Sequence, residues 1–243
     1  MDMLDKRMMI NQLIYDLNEN VIFPGKWDPK KILQILKVPK SGSWKDKTVL
    51  DIGANTGGLS VEIARLGANV TMLEPDPLER SIGTSIDFIK EIIETENLKI
   101  TIVKEGLFYA NKLNQHDIIL FLGLIYHFKY PQYCLDFISS LNPKELYIST
   151  QISNIDDLTM QNRLSGMLPK GHIPSQFKLG GYHPSHKLFR LMLNSAGFRN
   201  VHHLNDVEYY YPAKQFPELT NSAYYHAILD KAVDPEVEKL KFI

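Results

Sequence analysis

Two hydrophobic rhythms alternate along this chain. Short apolar runs read as buried strands at Val49, Leu50 and Ile52, then at residues 69–73, 99–104, 117–122 and 145–150, and later near 201–204 and 224–229. Between them, apolar residues recur at helical spacing over 29–36, 59–66, 77–95, 133–141 and 185–196. Ser185 is placed to cap the last of these helices and Gly197 to stop it. Strand and helix in turn, with turn signals between them, predict an α/β fold on a doubly wound parallel sheet.

The two ends of this pattern are less regular. Leu4, Met8, Met9, Leu13, Ile14 and Leu17 keep helical spacing, so residues 2–20 are expected to form an amphipathic helix packed on the sheet. With the helix over 29–36 it makes a helical cap of residues 1–45, ahead of an α/β domain over 46–243. Within that domain the rhythm breaks at 151–183, where Gly166, Pro169, Gly171, Pro174, Gly180 and Gly181 crowd a segment too long for an ordinary connection. Such segments on the carboxyl side of a parallel sheet tend to cover a ligand, and this one is expected to be a lid insertion.

Composition narrows the function classes. In 243 residues, Lys+Arg 27 nearly balance Asp+Glu 28 for a net charge of -1, which argues against a broad nucleic-acid footprint. Lysines 26, 30, 31, 37, 40, 45 and 47 form the one noticeably basic segment. Tyr209, Tyr210 and Tyr211 could stack on bases, but aromatic side chains equally line small-molecule pockets. The single cysteine, Cys134, lies in an apolar helix and reads as an inert buried thiol. No stretch reaches the roughly 18 apolar residues of a membrane span, and the charged start is no signal peptide, so a cytoplasmic protein without membrane partners is expected.

The chemistry concentrates at residues 48–58, Thr-Val-Leu-Asp-Ile-Gly-Ala-Asn-Thr-Gly-Gly. An apolar strand runs into a glycine-rich turn and then a helix, the arrangement by which α/β proteins receive a nucleotide-like cofactor. The spacing after Asp51 is Gly-x-x-x-Gly-Gly, not the Gly-x-Gly-x-x-Gly of a dinucleotide site, which favours a cofactor without a pyrophosphate. Glu74 ends the next strand, 23 residues after Asp51, where a carboxylate can accept hydrogen bonds from both hydroxyls of a ribose. An adenosyl amino acid meets both requirements.

These residues resemble a class I S-adenosylmethionine-dependent methyltransferase over about residues 46–150. Asp51-Ile52-Gly53-Ala54-Asn55-Thr56-Gly57 stands for that family's Asp-x-Gly-x-Gly-x-Gly motif, with Asn55 at the middle glycine, a substitution suited to a left-handed backbone. The resemblance implies a Rossmann-like seven-stranded methyltransferase sheet ending in an antiparallel pair, and S-adenosyl-L-methionine as cofactor. It assigns cofactor contacts to Asp51, Gly53, Asn55, Gly57, Glu74, Pro75, Glu105, Gly106, Leu107 and Gly123, with the 105–107 turn against the adenine. Phe121-Leu122-Gly123-Leu124-Ile125-Tyr126-His127-Phe128, then Pro131, a helix and a strand, is similar over residues 25–200 to the tRNA wobble-uridine carboxymethyltransferase family. Those enzymes carry an arginine about where His226 stands here, and a longer N-terminal extension.

Methyl transfer from a sulfonium disperses positive charge, so the protein mainly aligns the acceptor and removes a proton where the acceptor has one to lose. Tyr126 and His127 are the candidate catalytic pair; His172, Tyr182 and His183, with His186 beside them, belong to the lid. Asn154, Asp156 and Asp157 read as a helix cap, and no metal is expected. A small-molecule acceptor with a reactive oxygen or nitrogen leads, ahead of tRNA modification and of a non-catalytic adenosyl-ligand protein. The pattern leaves oligomeric state open.

Overall fold

The computed structural model describes residues 12–75, 83–153, 157–164, 179–208 and 221–230. Contacts divide the chain into two compact units, Met1–Leu122 and Gly123–Ile243. In the first unit, a hairpin of β1 (Ile14–Tyr15) and β2 (Val21–Phe23) precedes α1 (Pro29–Leu36), whose N-cap Asp28 accepts from the amides of Lys30 and Lys31. There follow β3 (Thr48–Ile52), α2 (Gly58–Arg65), β4 (Asn69–Leu73), α3 (Gly83–Glu96), β5 (Ile100–Val103), a 3-10 turn at Leu107–Lys112 and β6 (Ile118–Leu122).

β6, β3, β4 and β5 lie side by side and parallel. Asp117 locks the entry of β3: its carboxylate accepts from the Thr48 amide (3.1 Å) and hydroxyl (3.0 Å), while its own amide donates to Thr48 Oγ1 (2.9 Å). Val49, Leu50, Val70, Met72, Ile118, Ile119 and Leu120 are all buried, as near-continuous apolar strands covered on both faces require.

The second unit contains α4 (Pro131–Ser140), β7 (Glu145–Ile152), a separate hairpin of β8 (Met160–Leu164) and β9 (Leu179–Pro184), α5 (His186–Ser195), β10 (Phe198–Glu208) and β11 (Asn221–Leu229). β11 pairs antiparallel with both β7 and β10. Ser185 caps α5 by accepting from the Leu188 amide, and Gly197, at φ 92°, turns the chain out of it. The strands follow the order β10-β11-β7-β6-β3-β4-β5 in a seven-stranded sheet with an antiparallel end, as expected. Cys134 is buried in α4, and desolvation pushes its thiol pKa up to about 12, which makes it inert.

One expectation needs correction. Residues 1–11 lie outside the described residues, but residues 12–20 are not helical. Asp16 accepts from the amides of Asn18 (2.9 Å) and Asn20 (2.8 Å), and Glu19 takes a left-handed φ of 66°, so a local turn competes successfully with helix. Arg65 holds the hairpin in place, donating to the Tyr15 carbonyl (2.9 Å) and pairing with Glu62 and Glu96. Leu17, which completed the apparent helical stripe, is 71% exposed.

The 151–183 insertion, expected as a lid, contains regular strand structure. β7 continues to Ile152, and Met160–Leu164 pairs with Leu179–Pro184, so that Gly180 and Gly181 stand inside a strand. Glycines in a strand look like turn signals in sequence, which hid β9. Residues 165–178, with His172, and Tyr209, Tyr210 and Tyr211 lie outside the described residues.

Candidate cofactor and acceptor sites

The parallel register aligns the ends of three strands. Ile52 lies beside Leu73 and Leu73 beside Val103, so the segments following β3, β4 and β5 leave the sheet at one edge. The first is the glycine turn, in which Gly53 (φ 70°), Asn55 (φ 55°) and Gly57 (φ 83°) all take left-handed conformations. Asn55 therefore does what a glycine does at this position, as its residue type allowed. The Gly53 amide donates to the Leu73 carbonyl at 2.7 Å, which ties the turn to β4.

Glu74 follows β4 at this edge. Its Oε2 accepts from the Asn55 amide at 2.9 Å, and its own amide donates to Val103 O at 3.1 Å. One carboxylate thereby joins the turn after β3 to the end of β4 while half exposed. Pro75 is exposed beside it. At the third strand end, Glu105 is exposed and Leu107 buried; Gly106 has an ordinary φ of -82° and open space where a Cβ would stand, so no steric demand explains this glycine.

Asp51 is buried near the end of its strand. It is 3% exposed within β3, and its Oδ2 accepts from Ser60 Oγ at 2.6 Å, which fixes the first turn of α2 against the strand. Burial raises its pKa to about 6 against the opposing pull of that hydrogen bond. A Cβ on Gly57 would come within 2.6 Å of Met72 Cε, the movable end of a flexible side chain, so it is the left-handed φ of 83° that favours glycine here.

Sequence reasoning missed Gln12. Its side-chain oxygen accepts from the Leu59 amide at 2.7 Å, satisfying one of the orphan donors at the start of α2. Its own amide donates to Thr56 Oγ1 at 2.9 Å, and its carbonyl accepts from the same hydroxyl. A Cβ on Gly58 would stand 2.1 Å from the Leu13 carbonyl, so Gly58 serves close approach of this segment, not the turn. A pairing across 44 residues leaves no local sequence signal.

In the second unit, Gly123 (φ 70°) donates its amide to Ser149 Oγ at 2.9 Å. Ile125–His127 forms a 3-10 turn in which the Tyr126 and His127 rings stand 4.3 Å apart. The Tyr126 hydroxyl reaches back to 3.7 Å from where a Gly123 Cβ would be. Tyr126, Thr150, Met160, Tyr182, Phe189 and Met192 gather here around a narrow, closely packed apolar cleft. His183 is buried, its ring 6.3 Å from that of Tyr126.

His226, the residue standing where the wobble-uridine enzymes carry arginine, is engaged elsewhere. Its Nε2 lies 2.9 Å from Glu145 Oε2 at the start of β7, with both side chains at most 9% exposed. Tyr147 adds its hydroxyl to the same carboxylate oxygen at 3.5 Å.

Residues 25–203 match the family model described as "Methyltransferase domain". The chain belongs to this methyltransferase family. Among solved structures, the N-terminal domain of EvdMO1, crystallised in the presence of SAH and D-fucose, is 16% identical with a TM-score of 0.61, covering 95% of this chain and 98% of that one. Magnesium protoporphyrin IX methyltransferase from Synechocystis PCC 6803, with bound SAM, is 17% identical with a TM-score of 0.54, covering 83% and 78%. The 1,6-didemethyltoxoflavin-N1-methyltransferase of Burkholderia thailandensis is 16% identical with a TM-score of 0.52, covering 76% and 72%. No curated protein matches the chain in sequence. The fold of this methyltransferase is thus the Rossmann-like class I fold, and among its described residues no helix is long and apolar enough to cross a membrane.

Proposed function

We propose that the chain is an S-adenosylmethionine-dependent methyltransferase that methylates an oxygen or nitrogen of a small molecule. The observation that carries this reading is the Glu74 carboxylate held by the Asn55 amide, at the strand edge where the left-handed turn of Gly53, Asn55 and Gly57 leaves the sheet. A half-exposed carboxylate there suits the two hydroxyls of a ribose. SAH and SAM bound in structurally similar proteins support the same donor. When bound, that donor supplies an electrophilic methyl group on a sulfonium.

The remaining work falls to this chain's side chains. The side chains gathered about Tyr126 are tyrosine, phenylalanine and methionine, a composition that suits packing against an apolar or aromatic acceptor. Tyr126 and His127 are the groups suited to orient the acceptor and take its proton. Labelled methyl transfer from S-adenosylmethionine, screened over hydroxyl- and amine-bearing metabolites and over tRNA, tests the reading. Label in a small molecule supports it; label in tRNA alone, with an affinity that falls steeply with salt, overturns it.

Two substitutions probe the assigned residues. Glu74→Ala should weaken binding of the demethylated cofactor roughly tenfold to a hundredfold, about 1.5–3 kcal/mol, because a charge-assisted contact is lost. Calorimetry on the folded variant decides it, and unchanged affinity removes Glu74 from the ribose. Tyr126→Phe and His127→Ala should each lower turnover by at least about tenfold with cofactor affinity nearly constant. A parallel loss of thermal stability and cofactor affinity would show them to be packing residues instead.

A further inference from the structure

We propose that His186, His203 and Asp206 form a binding site for a divalent transition-metal ion of the zinc type, clipping the start of α5 to β10. The site belongs to no part of the methyl-transfer reading above. Its ligand atoms are two imidazole nitrogens and one carboxylate oxygen, all within 4.8 Å of one another. His203 Nε2 stands 2.8 Å from Asp206 Oδ1, and His186 Nε2 stands 3.7 Å from Asp206 Oδ2. The two imidazole rings are 4.9 Å apart and inclined at 75°.

The backbone builds this cluster through an irregularity. On a regular strand, residues three apart point to opposite faces, which would separate His203 from Asp206. Here His203 lies opposite Tyr225 while Asn205 lies opposite Tyr224, so β10 carries one extra residue against its partner. The bulge brings both side chains to one face. His186, the first residue of α5, adds the third group from a different element. No sequence spacing announces a site assembled in this way.

A further contact orients one ligand. His186 Nδ1 lies 2.6 Å from the Tyr225 hydroxyl. With Nδ1–H donated to that oxygen, Nε2 presents its lone pair to Asp206 and His203, the arrangement by which ligand imidazoles are held in register for a metal. Tyr225 is itself buried, its ring 5.1 Å from Phe189 and 5.3 Å from His203. A hydrogen-bonded His203–Asp206 pair on its own would require neither the third ring nor this anchor.

The donor set selects the ion. Two imidazoles with one carboxylate suit Zn²⁺ and its neighbours, whereas Mg²⁺ and Ca²⁺ demand oxygen ligands. Tetrahedral zinc, with bonds of about 2.0–2.2 Å, places its ligand atoms about 3.4 Å apart. The present separations of 2.8 and 3.7 Å bracket that value. Side-chain exposures of 40% for His186, 37% for His203 and 34% for Asp206 leave an entry path and a position open to water.

The test uses the full chain stripped with a chelator and titrated with ZnCl₂ by calorimetry, and with CoCl₂ by visible absorption. One ion per chain is expected, with a rise in melting temperature and cobalt bands of low coordination number. His203→Ala and Asp206→Asn, both at exposed positions, should each weaken Zn²⁺ binding by at least about a hundredfold, and Tyr225→Phe by about tenfold to a hundredfold. His202→Ala, a neighbour outside the cluster, should leave affinity unchanged. Absence of one-to-one binding, or binding unaltered by both His203→Ala and Asp206→Asn, would overturn the assignment. Since none of these readouts involves methyl transfer, failure here and failure of the methyltransferase reading are distinguishable.

Discussion

His226→Ala is expected to destabilise the protein by about 3–5 kcal/mol, the range for removing one partner of a buried hydrogen-bonded pair. The Glu145 carboxylate receives the His226 ring at 2.9 Å and a longer contact from the Tyr147 hydroxyl at 3.5 Å. The Tyr147 contact is at the outer limit of a hydrogen bond. Such a loss is a large share of the stability of an ordinary domain. Urea denaturation of His226→Ala beside Glu145→Gln measures it. Glu145→Gln should cost less, since the amide keeps a hydrogen-bonding partner for the His226 ring. A change below about 1 kcal/mol in His226→Ala would mean that water reaches Glu145 and that the pair does not hold β7 and β11 together.

Asp51 should make the protein less stable as pH rises through the range from about 4 to 6. The direction follows from proton counting. Its pKa in the folded chain is about 6 against the ordinary 3.8, so between those values the folded state binds a proton that the unfolded state has released. Stability from this group is therefore full below about pH 4, declines up to about pH 6 and stays low above. The gap is worth about 3 kcal/mol, set mainly by desolvation. Asp51→Asn should abolish this window while leaving the titration of other groups in place. Denaturation at a series of pH values, wild type minus variant, isolates the effect; parallel curves would show that Asp51 is solvated in the folded protein.

Both predictions concern residues whose settings differ from their sequence appearance. Asp51 reads as a motif carboxylate facing a ligand, yet lies inside β3 bonded to Ser60. His226 reads as the counterpart of a cofactor-binding arginine, yet pairs with Glu145, 81 residues away. Sequence pattern locates a strand and its face, but burial depth and long-range partners depend on packing that no local window contains.

The parts governed by local chemistry were legible. β4 at Asn69–Leu73 and α1 at Pro29–Leu36 fall where periodicity places them, and Ser185 and Gly197 bound α5 as a cap and a stop should. The left-handed turn was readable because glycine and asparagine are the residues that enter that conformation cheaply. The hairpin at residues 14–23 was not, because its apolar residues mimic a helical stripe while the Asp16 turn is a competing side-chain interaction. Gln12 reaches Thr56 and Leu59 through tertiary contacts alone.

The most direct test of the central claim is calorimetric titration of S-adenosylhomocysteine into the intact wild-type chain. The account predicts saturable binding of one molecule per chain, accompanied by a rise in melting temperature that grows with ligand concentration, as binding to the folded state alone requires. No heat and no thermal shift at millimolar S-adenosylhomocysteine, in a protein that is folded by circular dichroism, would contradict it.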